Sequence, residues 1–278
     1  FLGNIRATDA IIHVLRCFAG GDVTHVEGSV DPLRDAETVE TELMLADLES
    51  LEKRVDAAQK KAKGNDAEAR ALLAVMEPAL AALQAGRPAR AIMPELSAEN
   101  LPLFKQLQLI TGKPVLYVAN VEEESAASGN ALSAQIMAKA AQEGAQAVMI
   151  AAAIEAEVAL LSGEAERSEF LAAMGLKEPG LNRVIRAGYL LLDLVTFFTV
   201  GPKEARAWTV RRGAAAPEAA GVIHTDFQRG FIRAETINYD DYIACKGEQG
   251  AKDAGKMRQE GKDYIVQDGD IFHFRFNV

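Results

Sequence analysis

Apolar residues along this chain recur first at strand spacing, then at helical spacing, then in short runs broken by turns. Residues 9–18 (DAIIHVLRCF) form a short run rich in β-branched side chains and bounded by Gly20, Gly21 and Asp22. That pattern predicts a buried strand. A loop from Val23 to Asp35 follows, with His25, Gly28 and Pro32, and Asp31-Pro32 suits a helix start with proline in the first turn. From Ala36 to Ala85 the apolar positions fall three and four apart: Leu43, Leu45, Leu48, Leu51 and Val55, then Leu72, Leu73, Val75, Met76, Leu80 and Leu83. Between the two series, residues 60–66 (KKAKGND) read as a basic helix end, a turn and a new cap. Two antiparallel helices are expected, either a packed pair or an arm inserted into the alternating pattern around it. Further on come a helix over 98–109, a strand over 114–120, a helix over 131–144, a strand over 147–153 and a helix opening over 155–161. Strand and helix in alternation imply a parallel sheet with right-handed crossovers.

After Asp193 the texture changes. Strand-like runs at 195–200, 207–210, 231–237, 264–266 and 271–276 are separated by Gly and Pro turns, with one helix candidate at 219–230. A separate α+β domain able to fold alone is expected, with Trp208, Phe227, Phe231, Tyr264, Phe272 and Phe274 in its core.

Composition narrows the function classes. The 278 residues are 49% hydrophobic and 25% charged, the balance of a soluble globular protein. No apolar run reaches the roughly 18 residues of a membrane helix, since Asp193 interrupts the strongest, Leu190 to Val200. The net charge of -10 argues against broad electrostatic binding to RNA, DNA or anionic membranes. From Asp193 onward, 12 basic side chains face 13 acidic ones. RNA contact there would need a local patch, such as Arg211-Arg212 or Lys252, Lys256, Arg258 and Lys262, which a solvated surface explains equally well. Cys17 and Cys245 suit a reduced, cytoplasmic protein, with a disulfide left open. The four histidines have no metal-ligand spacing; His13 reads as core and His224 as structural. No signal peptide precedes the first strand, and a chain that starts with Phe1 in mid-pattern is expected to be a piece of a longer one.

In an open parallel sheet, ligands bind at the carboxyl ends of the strands. Three such ends are visible: Arg16-Cys17-Phe18, residues 120–123 (NVEE) and residues 151–155 (AAAIE). GTPases place Asn-Lys-x-Asp at the second, where the aspartate pairs with guanine's ring N–H and amine together. Glu123 is one methylene longer and cannot take that position, and Val121 replaces the lysine over the base with a small apolar face. Guanine affinity falls and adenine becomes acceptable. Ala152 and Ala153 would let backbone amides approach a base, although tight helix–strand packing also explains them.

These segments resemble the base-specificity motifs of the YchF branch of the Obg-like P-loop NTPases. Residues 24–32 (THVEGSVDP), 206–210 (RAWTV), 223–235 (IHTDFQRGFIRAE) and 264–270 (YIVQDGD) resemble that family's signature segments, so the resemblance runs essentially from Asn4 to Val278. It implies an α/β fold with three parts. These are a partial P-loop G-domain with a parallel sheet (residues 1–35 and 96–192), a helical coiled-coil insertion (36–95) and a C-terminal TGS domain of ubiquitin-like β-grasp type (193–278). It implies ATP as ligand, held by Phe18 stacking on adenine together with Asn120, Val121, Glu123, Ala152 and Ala153; read from the pattern alone, Phe18 is a core residue. It also implies Mg²⁺ and phosphate ligands upstream of Phe1, and hence a piece that does not hydrolyse ATP by itself. The function expected of the whole protein is a ribosome-associated ATPase switch that prefers ATP to GTP. The alternative is a non-catalytic module docking on RNA or protein through the TGS domain and helical arm.

Overall fold

The computed structural model describes residues 2–20 and 29–277. His25, Gly28 and most of the 24–32 signature therefore lie outside the described residues. The chain divides into two compact units, Phe1–Leu191 and Leu192–Val278.

The first unit opens with α1 (Leu2–Arg6) and β1 (Ile11–Arg16), then a long helix α2 (Pro32–Lys63) and its antiparallel partner α3 (Ala67–Gln84). Local chemistry sets both helix starts. Asp31 caps α2 by accepting from Leu33 N and Arg34 N, with Pro32 at the first position, and Asp66 caps α3 by accepting from Glu68 N and Ala69 N. Leu51, Val55 and Ala58 pack on Val75, Met76, Ala79 and Leu83, and Phe104, Leu107 and Leu109 close the same cluster. Leu45 is off this stripe and exposed. Where the pair meets the sheet, Asp47 is fully buried. It accepts from Ile110 N at 3.0 Å, Thr111 N at 2.7 Å, Thr111 Oγ1 at 2.9 Å and Arg6 Nη1 at 3.2 Å.

The predicted helix over 98–109 is shorter, α4 (Asn100–Gln106), because Gln108 turns to φ 51°. Then come β2 (Val115–Asn120), α5 (Ala131–Glu143), β3 (Gln146–Ile150), α6 (Ala152–Leu160), α7 (Glu164–Ala173) and α8 (Gly180–Leu191). The three strands form a parallel sheet in the order β1-β2-β3. Central β2 is buried on both faces: Val115, Tyr117 and Ala119 join the core with Ile136 and Ala140 of α5, and Leu116 and Val118 pack on Val184, Ala187 and Leu191 of α8. A strand covered on both sides reads as a continuous apolar run, and so it does here. Strand β1 is shorter than the 9–18 run because its partner ends at Asn120. Strand β3 stops at Ile150, not Ala153, because the alanines, good helix formers, already belong to α6. Helices α7 and α8 fall where the resemblance implies further helices, whose bounds the sequence pattern does not define.

In the second unit, β4 (Leu194–Val200) and β5 (Ala205–Arg211) form a hairpin. They precede α9 (Ala216–Ile223), α10 (Thr225–Arg229), β6 (Phe231–Asn238), α11 (Tyr239–Ala244), α12 (Glu248–Asp253), β7 (Arg258–Glu260) and β8 (Asp270–Phe276). The sheet runs β5-β4-β8-β6-β7, with only β4 and β8 parallel. The expected aromatic core is present: Phe231, Phe272 and Phe274 are buried, and Trp208, Phe227 and Tyr264 pack against them. The single helix expected over 219–230 is two, because His224 leaves the helix at φ −161° and its Nδ1 accepts from Asp226 N as a new cap. Residues 264–266 are not a strand; Ile265 makes only an isolated bridge to Ala215. This segment is a structural turn, in which the carboxylate of buried Asp270 accepts from Tyr264 Oη and Gln267 N, both at 2.9 Å. Burial pushes the Tyr264 phenol up to about 12 and raises the Asp270 carboxyl. Both cysteines are free thiols.

Candidate functional site

The parallel register brings the three strand ends level: Arg16 pairs with Asn120, and Asn120 with Ile150. Cys17 N still donates to Asn120 O at 2.7 Å and Val121 N to Ile150 O at 2.8 Å, after which the three chains part. The loops carrying Phe18, residues 121–130 and the start of α6 therefore open at one end of the sheet.

Asn120 is committed on one side only. Its Oδ1 accepts from Ala152 N at 2.9 Å, while no described group takes its Nδ2. That bond substitutes for a missing cap, since Ala151 at the start of α6 offers no side-chain acceptor. The next amides, of Ala153 and Ile154, have no partner inside the helix. Ala152 and Ala153 are both exposed, so their own side chains put no more than a methyl in front of this positive helix end. Phe18 is half-buried, with the Arg16 guanidinium 4.6 Å from its ring centroid and Arg16 Nε donating to Phe18 O at 3.3 Å. Glu123 is exposed and begins a short 3₁₀ turn. Glu122, by contrast, accepts from Ser125 Oγ and from Asn130 Nδ2 at 3.0 and 3.1 Å. The Ser125 bond first, then the Asn130 bond, hold its carboxyl below the usual range. Burial, with Glu122 beside it, pushes the Cys17 thiol up to about 11, which keeps it protonated and unreactive.

The chain is 55% identical over its whole length to the "Ribosome-binding ATPase YchF" of Haemophilus influenzae, of which it covers 76%. The chain belongs to the YchF family. The Bacillus subtilis member is 50% identical over 280 residues, again with 76% of it covered. Residues 194–277 match the family model YchF-GTPase_C, described as "Protein of unknown function (DUF933)". Among solved structures, the Schizosaccharomyces pombe YchF GTPase is 32% identical with a TM-score of 0.85, over 99% of this chain and 74% of that one. A GTP binding protein from Pyrococcus horikoshii OT3, 21% identical with a TM-score of 0.62 over 100% of this chain and 81% of that one, shares the fold. The first unit, with its parallel sheet, is that of a YchF-like GTPase fold.

Within this YchF-family chain, Phe18, Asn120, Glu123, Ala152 and Ala153 come to one end of the sheet. Val121 does not face a ligand there. It is 3% exposed and lies in the core with Ala126 and Val158, so the expected apolar face over the base is not its own. The alternation of strand β2 carries on one residue past its end, turning Asn120 and Val121 to opposite sides. Glu155 belongs to the 151–155 segment singled out for base contact, but the organising roles of Asn130 and Glu155 are not legible in the sequence pattern. Asn130 caps α5 and reaches Cys17 O at 2.6 Å. Glu155 accepts from Gly180 N at 2.6 Å and Leu181 N at 3.1 Å, docking the start of α8 beside α6. Gly180 allows this close approach, since a Cβ there would stand 2.9 Å from Glu155 Oε1. The Gly129-Asn130 turn before a helical pattern was the available signal for the first; nothing local marked the second.

Proposed function

We propose that the first unit holds the base of ATP, in preference to GTP, and that the protein is an ATPase switch working at the ribosome in the cytoplasm. The convergence of Phe18, half-committed Asn120 and the unobstructed start of α6 supports this reading, together with Glu123 where a GTPase has the shorter carboxylate. Asn120 Nδ2 is a donor for a base ring nitrogen. Phe18 is the stacking face, and Ala152 and Ala153 leave room for the base edge. A lone Glu123 oxygen accepts from adenine's 6-amino group without reproducing the two-bond grip on guanine. Phosphates and Mg²⁺ are assigned to no described residue. The names of the relatives supply the ribosome and the ATPase reaction. The second unit is read as a TGS domain of β-grasp type and the α2–α3 pair as a coiled-coil arm, both for docking.

Titration of adenosine and guanosine nucleotides into the protein tests the reading. Each mismatched buried hydrogen bond costs roughly 1–3 kcal/mol, so about tenfold preference for the adenine series is expected. Equal affinities, or tighter guanine binding, would overturn it. Ribosome co-sedimentation without nucleotide selectivity would leave the non-catalytic docking module as the better account.

A further inference from the structure

One carboxamide ties three elements of this site together. Asn130 Oδ1 accepts from Ser133 N at 2.8 Å, and Asn130 N donates to Ser133 Oγ at 2.9 Å, closing a reciprocal cap on α5. Its Nδ2 points the other way, to Cys17 O in the loop after β1 at 2.6 Å and to Glu122 in the loop after β2 at 3.0 Å. Cys17 is thereby held on both sides, its N–H on Asn120 O and its carbonyl on Asn130, and Phe18 is the next residue. The turn feeding Asn130 is tight: Gly129 sits at φ 76°, and a Cβ there would stand 2.9 Å from Ser133 Oγ.

We propose that Asn130 is a positioning residue for base selection, resting on the reading of this end of the sheet as an adenine site. Its amide fixes the Phe18 loop against the loop carrying Asn120 and Glu123, and α5 is the rigid element to which both are referred. The job requires an acceptor toward Ser133 and a donor toward Cys17 and Glu122 from one short side chain. Serine offers no second branch, and aspartate offers acceptors only. Glu122 in turn needs a donor from Asn130, so the pair has a polarity that can be reversed.

That reversal is the test. Asn130→Asp keeps the cap acceptor, because aspartate caps as well as asparagine, but sets a carboxylate against Cys17 O and Glu122. Losing a charge-assisted bond predicts about tenfold weaker adenosine-nucleotide binding, reduced discrimination against guanosine nucleotides and faster amide exchange at Phe18. Glu122→Gln alone, still an acceptor for Asn130, should bind within about twofold of wild type. The double variant E122Q/N130D moves the donor of that pair to residue 122 and relieves the clash of two carboxylates, but it still sets an acceptor against Cys17 O. It should therefore regain stability and keep the weaker binding, the reduced discrimination and the faster exchange at Phe18. It also serves as the readout if N130D alone does not fold. Wild-type affinity and selectivity in N130D, or in the double variant, would overturn the proposal. Phe18→Leu and Asn120→Ala are the controls for the underlying site. If both bind like wild type, the adenine site itself is wrong; if both lose affinity while N130D does not, only the role of Asn130 fails.

Discussion

Asn120 and Val121 are neighbours that the structure turns to opposite sides, so truncating each should damage a different property. Asn120→Ala removes an acceptor from Ala152 N. Ala152 is exposed, so water can take the freed amide, and the stability cost is about 0.5–1.5 kcal/mol. The same change removes the free Nδ2 donor from the base. That bond is worth roughly 1–3 kcal/mol, or about 5- to 150-fold in Kd. Val121→Ala removes two methyl carbons from a side chain that is 3% exposed. At about 0.8 kcal/mol for each, plus the cavity left behind, stability should fall by roughly 2–3 kcal/mol. Its backbone bond to Ile150 O survives, so affinity should stay within about twofold. Urea unfolding gives the stabilities, and calorimetric titration with ATP, performed where both variants are folded, gives the affinities. If V121A weakens binding as much as N120A does, the loop after β2 presents the other side to the base and the assignment is refuted.

Asp47→Ala strands two buried amides, a hydroxyl and part of Arg6, and should cost about 3–5 kcal/mol in urea unfolding; a loss below about 1 kcal/mol would show that these groups find other partners. Burial first, then Lys139, lowers the His13 pKa against an opposing pull from Glu40. The folded state thus binds this proton less tightly than the unfolded chain, and stability complete above the ordinary imidazole value of 6.5 is lost as pH falls below it through the lowered folded value. His13→Gln should flatten the stability profile on the acid side of pH 6.5, and identical slopes in both proteins would exclude His13 as the cause. Residues from Leu192 to Val278, expressed alone, should unfold cooperatively, and Phe272→Ala should cost about 3–5 kcal/mol; a non-cooperative melt would mean that this unit needs the first.

Much of this molecule is written in single elements. The buried strand 115–120, the helix starts at Asp31 and Asp66 and the aromatic core of the second unit follow from residues whose partners are close along the chain or whose periodicity reports their own burial. That Phe18, Asn120, Glu123, Ala152 and Ala153 lie at or just past strand ends is legible in the pattern, while a base-stacking role for Phe18 comes from the family resemblance alone. The amphipathic face of α8 was not, because its last turn merges with the apolar run into β4 and is separated from it only by Asp193 at φ 52°. Tertiary structure alone decided that Val121 is core, that Glu122 is tied down while Glu123 is exposed, and that Asn130, Glu155 and Asp47 join segments far apart in sequence. Hydrophobic periodicity records how deeply a residue is buried. A hydrogen bond's partner is set by which loop the packed strands and helices bring within 3 Å, and that distance exists only once the sheet has formed.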